Sequence, residues 1–62
     1  MVKHRHKYKD SLAGMPDRIL ICYDGRDYYI GYFAELYFES PDGFTFGEDD
    51  DFDWYDLTEL GE

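Results

Sequence analysis

The chain has 62 residues, fifteen acids against six bases and a formal net charge of −9. That length sustains one domain and buries roughly 60% of the surface its unfolded form exposes, so the core must come from few, large side chains. One cysteine excludes an intramolecular disulfide, and no apolar run approaches the roughly 18 residues of a membrane span, so neither a disulfide scaffold nor a membrane partner is expected.

Residues 1–14 read as a basic, loosely held N-terminal arm. Lys3, Arg5, Lys7 and Lys9 alternate with His4, His6 and Tyr8, and no apolar periodicity is present to anchor them. The remaining positions, 15–62, form an acidic β domain, and residues 10–62 hold all fifteen acids against only Arg18 and Arg26. Met15-Pro16-Asp17 opens it, because Pro16 holds Met15 extended and cannot join a central ladder.

Arg18 to Tyr23 is a short apolar run rich in β-branched residues, and it places Cys22 in a strand interior as a buried structural thiol. Asp24-Gly25 follows, a strong hairpin signal that predicts residues 18–23 paired with residues 27–33. From Tyr28 the even positions Tyr28, Ile30, Tyr32, Ala34, Leu36 and Phe38 are all apolar. They predict the buried face of a long strand, so that Ile30→Ala or Leu36→Ala should cost more than Tyr29→Ala. Such a strand outreaches its six-residue partner and must bend or bulge at Gly31 or at Ala34-Glu35. Its second half pairs with Phe44-Thr45-Phe46 across the turn Ser40-Pro41-Asp42-Gly43.

Glu48-Asp49-Asp50-Asp51 repel one another and predict an exposed loop. Residues 52–60 then close the sheet as a short strand or turn, with a short C-terminal helix as the alternative reading. The expected fold is mainly β, an antiparallel meander of three to four strands with a bent central strand.

Catalytic chemistry finds no support. Carboxylates are plentiful, but a general acid/base pair needs a pocket that drives two pKa values apart. Ser11 and Ser40 lie in tail and turn, so no nucleophilic triad can be assembled. Asp49-x-Asp51-x-Asp53 opens like a calcium loop, but Trp54 and Leu60 stand where that loop requires Gly and Glu. His4-x-His6 lacks further ligands. The expectation is a non-enzymatic protein without cofactor or metal.

The positive feature is acidity on a rigid sheet. From Glu35 onward there are eleven acids and no base. Carboxylates two apart on a strand lie about 6.6 Å from each other, comparable with phosphate spacing on DNA. Glu35, Glu39, Asp42, Glu48, Asp49, Asp50, Asp51, Asp53 and Asp56 are therefore candidate partner-binding residues. Tyr29, Phe33 and Tyr37 supply a second-face aromatic stripe for the same partner.

Two resemblances accompany these residues. Met15-Pro16, Ile19 to Tyr23, Tyr29 to Phe33, and Trp54 with Leu57 resemble the ordered motifs of a short uncharacterised phage and prophage family, though the Pro-rich ending of that family is absent. In size, charge and lack of an active site, the chain also resembles small acidic phage proteins that mimic DNA, anti-CRISPR proteins and DNA-glycosylase inhibitors among them. That likeness implies a phage-encoded inhibitor in the host bacterial cytoplasm, a monomer or weak homodimer. It would block the nucleic-acid site of a basic host defence or DNA-processing protein without binding nucleic acid itself. The alternatives are a structural or adaptor phage protein with a merely solubilising acidic surface, and a nucleic-acid binder acting through the basic arm.

Overall fold

The computed structural model describes residues 2–60. Six strands, β1 (Lys3–His6), β2 (Arg18–Tyr23), β3 (Asp27–Ala34), β4 (Tyr37–Glu39), β5 (Thr45–Phe46) and β6 (Phe52–Asp56), form one antiparallel sheet in the order β1-β6-β2-β3-β4-β5. A short 3-10 helix, Leu57–Leu60, follows β6. The sheet is thus mainly β as expected but larger, and β6 is inserted between β1 and β2 instead of closing a meander.

The β2–β3 hairpin forms where Asp24-Gly25 predicts it. Both residues take positive φ, 55° and 70°, and Arg26 N–H donates to the Tyr23 carbonyl at 3.2 Å. A Cβ at Gly25 would meet no atom within 4 Å, so the need for glycine there is conformational. Gly25→Val should therefore lower stability by about 1–2 kcal/mol in thermal unfolding, whereas Gly25→Asn should cost much less. The turn at Ser40 to Gly43 also forms: Gly43 has φ 92°, and its N–H donates to the Ser40 carbonyl at 3.0 Å. Across it Phe38 faces Phe46 and Glu39 faces Thr45.

Burial along β3 is the reverse of the expected face. Tyr28, Ile30 and Tyr32 are exposed, Leu36 is 79% exposed, and of the even set only Phe38 is fully buried. The reason is the break at Ala34-Glu35. The long strand neither bulges nor bends there but ends, and Glu35-Leu36 form a tight turn after which Ala34 pairs with Tyr37 and Phe33 with Phe38. Paired residues share a face, so an odd position in β3 lies on the same side as an even one in β4. Gly31 is no bulge either: it pairs in register with Ile19. Its missing side chain makes room instead, since a Cβ there would lie 2.8 Å from Ile21 Cδ1 and 3.2 Å from Phe38 Cβ.

The core consists of Ile19, Ile21, Phe38, Phe46 and Phe52 on the inner face of the sheet, with Leu12 laid over them and Met15, Tyr23, Tyr29 and Trp54 around them. Two segments cover this face, residues 7–17 and residues 47–51, joined by the Lys9 N–H donating to the Glu48 carbonyl.

The N-terminal residues are not a free arm. Lys3 to His6 pair with Tyr55 to Phe52 in antiparallel register. His4 stacks on Trp54 at 4.3 Å between ring centroids, and His6, 2% exposed, stacks on Phe52 at 4.7 Å. The histidines supply the apolar-facing positions of a period-two strand, while Lys3 and Arg5 point away and leave the sheet edge charged.

Candidate functional site

The nine acids expected to bind a partner are dispersed around the sheet. Glu35 sits in the β3–β4 turn, Asp42 in the β4–β5 turn, and Glu48, Asp49, Asp50 and Asp51 in the loop that returns from β5 to β6. Glu39 lies on the outer face of β4, opposite Tyr32. Asp53 and Asp56 share β6 but, three apart, point to opposite faces. Among the described residues, therefore, no strand presents a ladder of carboxylates at phosphate-like spacing.

Some of this charge is already balanced. Arg5 lies 3.3 Å from Asp53 and 3.7 Å from Asp51, and Lys3 lies 3.9 Å from Asp53. The first strand thus neutralises part of the acidic half, although both cations remain more than half exposed, and such pairs contribute little to stability. Asp56 is occupied locally, accepting from the Thr58 N–H at 2.8 Å. Asp50 accepts from the Gly47 N–H at 2.8 Å and so fixes the loop.

The aromatic stripe divides. Tyr29 packs half-buried on the inner face against Phe44 and Phe46, with ring centroids 5.0 and 5.4 Å away. Phe33 is partly exposed on the same face and meets Phe38 edge-on. Tyr37 alone of the three points to the outer face.

One concavity brings acids and rings together. Where the β2–β3 hairpin, the β4–β5 turn and the returning loop meet, Tyr23, Tyr29, Phe44 and Phe46 line a cavity of about 300 Å³ whose other walls include Asp24, Asp27, Asp50 and Thr45. Asp24 and Asp27 were not among the expected acids, because one read as a turn former and the other as the start of a strand. None of the three carboxylates forms an ion pair among the described residues. Chemically the site suits a cationic side chain: aromatic faces attract a guanidinium or ammonium group through their quadrupoles, and carboxylates at the rim supply charge-assisted hydrogen bonds.

The outer face is different in character. Register places Leu20 beside Ile30 and Tyr55, Cys22 beside Tyr28, and Arg18 beside Tyr32. Cys22 is buried, as its strand context predicts. The Tyr28 phenol is raised above its ordinary pKa, first by hydrogen bonding with the Cys22 thiol and then by that thiol's charge, partial desolvation and Tyr55.

Among the described residues no group of three His, Cys, Asp or Glu side chains is placed to hold a metal, and no helix is long and apolar enough to cross a membrane. No family model, curated protein or solved structure matches the chain.

Proposed function

We propose that the protein is a non-enzymatic inhibitor of the DNA-mimic type, which docks on a basic nucleic-acid-binding protein of a bacterial host and occludes its DNA site; anti-CRISPR activity is the specific form. The observation that carries this reading is the meeting of Asp24, Asp27 and Asp50 over an aromatic floor. A Lys or Arg that would otherwise grip a phosphate finds there both a counter-charge and an apolar wall. Long-range attraction from a chain of net charge −9 speeds encounter and orients it, while the seated cation and the rings slow dissociation. The mimicry lies in three carboxylates gathered around an aromatic cavity, not in a linear copy of the phosphate backbone.

The basic-arm reading is disfavoured because Lys3 and Arg5 already face Asp51 and Asp53. The adaptor reading draws on the uncovered outer face.

The test is the variant Asp24→Asn/Asp27→Asn/Asp50→Asn, which keeps shape and hydrogen bonding, including the Asp50 contact to Gly47. Titrated against a basic protein captured from bacterial lysate on the immobilised wild type, it should bind at least about tenfold more weakly with unchanged thermal stability. Wild-type affinity should fall steeply between low and physiological salt. Equal affinity of variant and wild type would remove the cavity from the account.

A further inference from the structure

A six-stranded sheet has two faces, and among the described residues only one is covered. Domains are stable when a sheet packs against a second layer, yet no described segment lies over the outer face. Leu20, Cys22, Tyr28, Ile30, Tyr32 and Tyr55 lie together on it in the strand register. Tyr28 is 61%, Ile30 43% and Tyr32 47% exposed.

We infer that this face is a homodimer interface, on which a second copy of the chain packs to form a two-layer β-sandwich. The inference stands independently of the proposed function.

Charge selects the occupant. Among the described strands the outer face carries two acids, Glu39 and Asp53, with Lys3, Arg5 and Arg18, while the other described acids lie in turns, loops or inward positions. A chain of net charge −9 therefore has here the surface on which two copies meet with the least repulsion. A basic partner, by contrast, is drawn to the cavity rimmed by Asp24, Asp27 and Asp50.

Charge also selects the arrangement. Lys3 and Arg5 lie on β1 at one edge, and Glu39 lies on β4 toward the other. A two-fold axis parallel to the strands stacks β1 over the partner's β4–β5 edge and brings Lys3 and Arg5 toward the partner's Glu39. An in-plane axis across the strands would set those cations against their own copies. Both axes keep the strands of the two sheets aligned, as is usual for stacked sheets, so charge and not strand angle separates them.

Area sets the strength. Six strands at about 4.8 Å spacing and a mean length of about 15 Å give roughly 400–450 Å² per copy, near 900 Å² in total, the lower end of specific interfaces. The dimer is accordingly weak, with a dissociation constant on the order of 10–500 µM.

Sedimentation equilibrium from about 10 µM to 1 mM should show the chain passing from monomer to dimer across that range. Ile30→Lys, at an exposed strand position, should keep the circular dichroism spectrum and the dilute-solution melting temperature and weaken the dimer at least about tenfold. Ile30→Thr, which retains β-branching, is the second probe and should weaken it less. Glu39→Lys should weaken the dimer, and Lys3→Glu/Glu39→Lys should recover it in part. A wild type that stays monomeric at 1 mM, or a dimer indifferent to Ile30→Lys, would overturn the proposal. So would a monomer whose outer face becomes protected only on binding another protein, which would make it a heterologous docking surface.

Discussion

Phe38→Ala should unfold much of the protein at ambient temperature. Phe38 has no exposed surface, faces Phe33 and Phe46 across two strand pairs, and lies against the space left by Gly31. Its truncation should cost about 3–5 kcal/mol, the range for a buried aromatic whose cavity cannot collapse. A domain of this length has only about 3–9 kcal/mol to lose. Ile30→Ala in dilute solution should cost less, about 1 kcal/mol, because nearly half of its side chain is already in water. Urea unfolding of the two variants checks the order. Equal losses would mean that the sheet faces the other way.

Removal of residues 1–8 should be nearly as damaging. The deletion strips β1 from the edge of β6 and takes away the stacking of His4 on Trp54 and of His6 on Phe52. It also exposes Phe52, which is buried in the core, and leaves a bare strand edge open to association. The expected result is a melting temperature lowered by 10 °C or more, on the order of 2 kcal/mol, together with aggregation on heating. A dispensable arm would leave the melting curve unchanged. Loss of partner binding in this variant thus reports on folding, so the cavity amides, not the deletion, are the test of the site.

Local chemistry made several elements legible. Asp24-Gly25 and Ser40-Pro41-Asp42-Gly43 each carry residues suited to the positive φ their turns adopt, and both hairpins form where those residues stand. The Glu35-Leu36 turn carries no such signal. Glu35 takes φ 30° without being Gly, Asn or Asp, so residues 28–38 read as one strand whose even positions share a face, whereas the turn resets that parity and puts Phe38 on the side of Phe33. Strand β1 was hidden for another reason. Its inward positions are His4 and His6, which count as polar by composition but act as flat aromatic surfaces against Trp54 and Phe52. The acidic run predicted a loop correctly, yet nothing local tells that this loop brings Asp50 back beside Asp24 and Asp27. That meeting depends on the insertion of β6 between β1 and β2, a long-range choice made by the core.

Competition with DNA tests the central claim most directly. A basic host protein captured by the wild type but not by the triple amide variant is loaded with a fluorescent DNA duplex, and the anisotropy is followed as this protein is added. DNA mimicry predicts that the duplex is released in step with complex formation, and that the amide variant releases it only at concentrations at least about tenfold higher. A ternary complex that keeps its DNA at saturating concentrations of this protein would contradict the account.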